Sequence, residues 1–430
     1  MKNPPKAALA VIALSILATA CSSSTGDGGP AAAPGRKVEL TMSVWGGDVD
    51  AKAYRERLAL VARKFPDVSV KLEQTPGSGD YDQKIQTALA GGKGPDIMQL
   101  AENVHVFSSR NQLAPLDEYI AASKLDLNRR FGAKVAAAYQ RDGRTWALPD
   151  RAGAMVLYYN KKLFDDAGVA YPTGSWTWKE FRDAAIRLTE RDGDKVTRYG
   201  MAAGAWWPWW MTFMVQNGGG VVGPDGRPTA NSPANVEALK FYNDLVHVDK
   251  VAPSPTDYAN LGKDMAPEPL FAQGRAAMIF TGYWGIGTLK DTPGLKWDIA
   301  PMFQGKQRAT AGFGSGLAVN AGSEHKDAAF KVIEFLTGEE GQQPIVANSE
   351  DAPANLALLD SDAFLKSAPV NMGAFKESAA MLFTPPGGKN WNEMQKIFDD
   401  ALGPFFQNKG DAQATLDRIQ GELEPLMAAS

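Results

Sequence analysis

An α/β protein of two domains, with a cleft between them, is predicted by this sequence on three grounds. Its 430 residues exceed what one domain uses, at roughly 100–200 residues each. Its composition, 44% hydrophobic and 22% charged, is that of a folded globular chain and excludes a disordered tail or a coiled coil. From Val38 onward, strand-like and helix-like stretches alternate, the order that builds a parallel sheet with helices on its faces.

The first strand is read over 38–44. A helix follows over 51–65, where Tyr54, Leu58 and Val61 share one face. A strand over 68–72, a helix over 81–90 with Ile85 and Leu89 on one face, and a short apolar strand over 96–100 complete a βαβαβ unit. In open sheets of this kind ligands bind beyond the carboxyl ends of the strands, which directs attention to Trp45-Gly46-Gly47-Asp48 and Ala101-Glu102-Asn103. A second α/β set begins near Met155, where MVLYY is apolar on both faces. Thr177 and Glu180 form a capping box opening a helix through residue 189. Ser232-Pro233 caps another helix, to about His247. A strand over 276–281 and a glycine-rich run over 312–320 leading into a strand come next, then helices over 326–336, 391–402 and 412–427.

Charge and cysteine content narrow the function. Lys and Arg total 45 against 49 Asp and Glu, a formal charge of −4 with no basic stripe, so nucleic acid is not the expected partner. One cysteine, Cys21, excludes a disulfide framework, and three scattered histidines without HExxH give no metal site. No cofactor is expected. At the amino terminus Lys2 and Lys6 precede an apolar run over 7–20, shorter than the roughly 20 residues needed to span a bilayer, and this reads as a signal peptide over 1–20. The run ends Leu17-Ala18-Thr19-Ala20-Cys21, which resembles a bacterial lipobox with Cys21 as the lipidated residue; a plain secretory signal with a small-residue cleavage site is the alternative. Residues 21–36, rich in Gly, Pro and Ser, form a tether with a reach on the order of 20 Å.

The stretches GKGPDIMQLAEN (92–103), RTWALPDRAGAMVLYYNKKLFDDAGV (144–169), FAQGRAAMIFTGYW (271–284) and GSGLAVNAGSEHKDAAFKVIEFLTGEEGQ (314–342), in this order behind a lipobox-like leader, resemble the carbohydrate-type extracellular solute-binding proteins of ABC importers, the maltose-binding-protein-like group. The resemblance implies a two-lobed periplasmic-binding-protein-like fold with discontinuous lobes and a hinge cleft. It places lobe one at 37–152 plus 313–347 and lobe two at 153–312 plus 348–430, with crossings near 152–155, 313–317 and 346–352. It further implies a monomeric receptor, lipid-anchored on the outer side of the cytoplasmic membrane, that takes a di- or oligosaccharide by hinge closure and delivers it to the transmembrane subunits of a permease.

A sugar presents C–H faces and a rim of hydroxyls, so its site needs flat aromatic rings and fixed polar groups. Four tryptophans surround Pro208, namely Trp206, Trp207, Trp209 and Trp210, and they cannot all be buried on one face of an element; Trp206 and Trp209 are taken as cleft residues. The resemblance adds Tyr283, Trp284 and Trp391 as aromatic candidates. Polar candidates are Gly47 and Asp48 at the first strand end, Glu102 and Asn103 at the third, Asp150 and Arg151 before the first crossing, and Gly314 and Ser315 in the glycine-rich run. Core packing for each aromatic and solvation for each charge are the alternatives.

An enzyme would need a reaction centre. Residues 312–316 are not GxSxG, and Ser323-Glu324-His325-Lys326 matches SxxK without its companion motifs and reads better with Ser323 as a helix N-cap. The chain is therefore read as a binding protein rather than an enzyme. A secreted carbohydrate-active hydrolase, or a receptor for a polyol or glycerophosphodiester, stays open beside the sugar receptor.

Overall fold

The computed structural model describes residues 37–262, 265–348, 351–385 and 388–428. Its strands are β1 (Val38–Trp45), β2 (Val68–Thr75), β3 (Ile97–Leu100), the hairpin β4 (Gln140–Arg141) and β5 (Arg144–Thr145), β6 (Leu148–Ala154), β7 (Val156–Asn160), the hairpin β8 (Glu190–Asp192) and β9 (Lys195–Arg198), β10 (Met278–Thr281), β11 (Trp297–Ala300), β12 (Thr310–Val319) and β13 (Leu382–Phe383).

The first sheet forms because alternate residues of β1, Leu40, Met42 and Val44, are fully apolar and buried. Parallel pairing sets Val38 opposite Val68 and Met42 opposite Ile97, so the βαβαβ unit read from the sequence is parallel, with its strands in the order β2-β1-β3. The helices Asp48–Lys64 and Ser78–Ala90 make the crossovers and turn Tyr54, Val61, Tyr81 and Ile85 inward. The sheet is mixed, not parallel throughout. β12 returns from two hundred residues away to pair antiparallel with β3, Leu317 opposite Gln99, and with β6, Gly314 opposite Ala152. A pairing over that separation leaves no local periodicity to read.

The second sheet is β10-β7-β11, antiparallel, with β7 central and buried along its length. Helix starts here follow the capping residues. Thr177 and Glu180 satisfy each other's backbone N–H groups at the start of Trp178–Leu188, and Ser232 caps Pro233–His247. Ser323 is not an N-cap. His325 holds that place, while the Ser323 hydroxyl donates to Asp96 at 2.5 Å and ties the loop to β3.

Only Met155 separates β6 of the first sheet from β7 of the second. Its N–H donates to the Ala311 carbonyl at 3.0 Å and its carbonyl accepts from the Thr310 hydroxyl at 2.8 Å, so the return strand lies beside the outgoing one. A third segment joins them on the other edge of β6, where the Ala152 N–H meets the Ala352 carbonyl at 3.2 Å. β6 and β12 thus link the two sheets, and the segment at Ala352 lies beside them as the third strand of a ribbon.

Candidate functional site

The carboxyl end of β3, the ribbon, and the segment around β13 enclose a cavity of about 610 Å³ lined by Glu102, His105, Tyr139, Arg151, Phe313 and Phe383, among others. Lys134 closes one end by donating to the carbonyls of Ala380 and Leu382. Phe313, carried by β12, extends the cavity into an aromatic wall. Its ring stacks on Trp206 at 5.2 Å and meets Trp284 edge-on at 5.2 Å, while Trp206 and Trp284 lie 6.0 Å apart. Both tryptophans are open, 42% and 37% exposed, and adjoining exposed indoles are expensive to hydrate unless something covers them.

Helical spacing sorts the Trp cluster. In Trp207–Gln216, Trp207 and Trp210 point into the core and Trp209 is half-buried against it, whereas Trp206, the N-cap, is exposed. Trp209 is fixed by its indole N–H, which donates to the Phe280 carbonyl at 2.8 Å. Trp284 is fixed likewise, donating to Glu268 at 3.2 Å, and a Cβ on Gly282 would overlap its ring. Close approach is therefore what Gly282 supplies.

On the polar side, Glu102 opens partly onto the cavity, and burial followed by the nearby Asp82 charge pushes its carboxyl up to about 7. Burial pushes Asp82 up to about 6, against the opposing hydrogen bond from Asn103. Asn103 is nearly buried, and its side-chain oxygen finds no donor among the described residues. Arg151 lies over the Tyr54 ring at 5.0 Å and donates to Asp50 at 2.9 Å. Asp50 also accepts the Gly47 N–H at 2.7 Å and crowds Gly46, whose φ of 127° suits glycine alone.

Several sequence candidates are placed elsewhere. Asp150 is fully buried, accepting from Tyr54 at 2.8 Å and pairing with the buried Arg57. Tyr283 is fully buried against Phe364 and Phe375, because the turn after β10 sends successive side chains to opposite sides. Trp391 is 2% exposed and packs edge-on against Trp207 at 5.8 Å. The Ser315 hydroxyl accepts from Gln99 at 2.9 Å inside the sheet, and Gly314 lines the cavity while leaving room for the Arg151 carbonyl of β6. Asp48 is exposed in the first helical turn. Cys21 lies outside the described residues. His105, Tyr139, Lys134 and residues 382–385 were not anticipated, since only tertiary pairing brings them to the cavity. No group of three or more His, Cys, Asp or Glu positioned for a metal occurs among the described residues.

Residues 50–343 match the family model described as bacterial extracellular solute-binding protein. The chain belongs to that family. This solute-binding protein is 27% identical over 381 residues to the maltotriose-binding protein of Pyrococcus abyssi, covering 83% of this chain and 76% of the relative. Its fold is similar to an ABC substrate-binding protein from Listeria monocytogenes solved with cycloalternan, with a TM-score of 0.83, 30% identity, and coverage of 91% and 99% of the two chains. A glycerophosphocholine complex from Mycobacterium tuberculosis superposes with a TM-score of 0.76 at 22% identity, covering 90% and 98%. The two-lobed fold is common to these binding proteins, and fold alone does not name the ligand.

Proposed function

We propose that this solute-binding protein is the receptor of an ABC importer for a neutral di- or oligosaccharide. The observation that carries the reading is a cavity lined by Glu102, Arg151 and Phe313, with the exposed rings of Trp206 and Trp284 packed against Phe313 beside it. Indole faces suit the C–H surfaces of pyranose rings, and a half-buried carboxyl group and a buried guanidinium suit the hydroxyl rim. Support comes from the relative named for maltotriose and from the cycloalternan complex.

The ligand set in this proposal is Gly47, Glu102, Asn103, Arg151, Trp206, Trp209, Trp284 and Gly314. Tyr283, Trp391, Asp150 and Ser315 are withdrawn to structural roles, and Asp48 is withdrawn to the solvated surface. Lobe one comprises about 37–152 and 313–347, and lobe two the remainder. Ligand contacts made with both lobes favour the closed state, which docks on the permease while ATP is hydrolysed elsewhere. Cys21 anchors the receptor by lipid, the tether keeps it near the membrane, and it works as a monomer without catalysing a reaction.

The test is calorimetric titration of residues 37–430 with mono-, di- and oligosaccharides, polyols and glycerophosphodiesters, with each ligand recovered for chemical analysis. Saturable binding of an oligosaccharide recovered intact is the expected outcome. Cleavage of it would move the assignment to a hydrolase, and binding of only a glycerophosphodiester or polyol would move it to that ligand class.

A further inference from the structure

Neither the aromatic wall nor the cavity lining includes Glu268, yet this residue controls how one of the two open indoles is presented. Glu268 lies in the first turn of the helix Pro267–Ala272. One of its carboxylate oxygens accepts from the Thr281 hydroxyl at 2.6 Å and from the Trp284 indole N–H at 3.2 Å. Thr281 is fully buried at the end of β10, so the carboxylate is itself anchored to the second sheet. The indole is then held at two points, by its N–H on Glu268 and by its six-membered ring lying against Gly282. Trp206, in contrast, is held by ring contacts with Trp207, Trp209, Trp284 and Phe313.

We infer that Glu268 is a positioning residue that fixes the plane of Trp284 before ligand arrives, so that stacking there does not have to immobilise a loose ring. The inference rests on the saccharide-receptor reading and adds to it a residue outside the binding cavity. A side chain that must be immobilised on binding weakens affinity, and removing its anchor is worth roughly threefold to tenfold in Kd. The carboxylate acts as an acceptor in both contacts, and an amide oxygen can do the same.

A double-mutant cycle decides it. Saccharide affinity is measured for the wild type, Glu268→Ala, Glu268→Gln, Trp284→Ala and the double variant Glu268→Ala with Trp284→Ala. Positioning predicts about a threefold to tenfold loss for Glu268→Ala, less than about twofold for Glu268→Gln, and no further loss when Glu268→Ala is added to Trp284→Ala. An equal loss from Glu268→Ala in both backgrounds would overturn it in favour of direct ligand contact or lobe damage, and no loss in either would overturn it outright. A second readout needs no ligand. The Trp284 indole proton, assigned by its disappearance in Trp284→Phe, is expected to exchange with solvent faster in Glu268→Ala and at the native rate in Glu268→Gln; unchanged exchange in Glu268→Ala refutes the anchor. If the wild type binds no saccharide, the receptor reading falls while this exchange measurement still judges Glu268.

Discussion

Trp206 and Trp391 separate the two fates of a tryptophan in this chain. Trp206→Ala removes an open stacking face and is expected to weaken saccharide binding about tenfold with the melting temperature nearly unchanged. Trp391→Ala opens a hole against Trp207 in the core and is expected to destabilise by about 3–5 kcal/mol, read from urea unfolding. Glu102 carries a pH signature. Because its folded-state pKa is raised to about 7, the folded state holds its proton longer than the unfolded chain does, and stability falls as pH rises from the ordinary carboxyl range through 7. Glu102→Gln removes that slope. Melts at pH 8 should show the variant stabilised by about 1–2 kcal/mol, with little difference at pH 4, while saccharide affinity drops. Opposite signs on stability and binding are what a functional carboxyl predicts. At this scale the sequence made residue types legible but not directions. Tyr283 and Trp284 are neighbours, and only the turn after β10 decides that the first enters the core and the second the cleft.

The helix Asp48–Lys64 shows what an element's periodicity conveys and what it hides. Tyr54, Leu58 and Val61 were legible as its inner face; Arg57 shares that face and was not, because an arginine there reads as solvated until its partners are known. Its guanidinium donates to Asp150 of β6 and to the carbonyls of Gly341 and Leu336, at 2.8 Å each for the carbonyls. One side chain therefore joins the first crossover helix, the ribbon, and the helices Lys326–Leu336 and Glu339–Ala347. Arg57→Met leaves the buried Asp150 charge with only the more distant Arg151, 3.9 Å away, and is expected to cost about 3–5 kcal/mol in urea unfolding, part of which the added change Asp150→Asn restores. The glycine-rich start of β12 was legible as unusual, with a ligand or hinge role in view. Its glycines also serve strand packing: a Cβ on Gly314 would overlap the Arg151 carbonyl, and one on Gly316 would press on the Tyr139 ring at 2.7 Å. The Glu268 anchor was illegible for a related reason, since contacts 13 and 16 residues apart follow no helical or strand period.

For the molecule as a whole, the alternation of elements and the ordered family-like stretches made the α/β class and two-lobed layout readable. The antiparallel return of β12, the docking of β13 and the cavity wall at 382–385 were not readable, because they depend on pairings between distant segments. Closure of the lobes on ligand predicts a smaller radius of gyration by small-angle scattering when saccharide is added, and no change with a sugar that the titration shows not to bind.

The three-stranded ribbon has a consequence for how the protein tolerates damage. The chain passes from one sheet to the other at Met155 and returns before Thr310, and the segment at Ala352 lies beside β6, each hydrogen-bonded to its neighbour. A protease that severs one pass divides the linear chain into two fragments without a covalent link, and these are held by the backbone hydrogen bonds of the ribbon and by the packing around it. A receptor nicked in this way outside the cell would stay in one piece, and after a single cut it should still migrate as a single species in native gels.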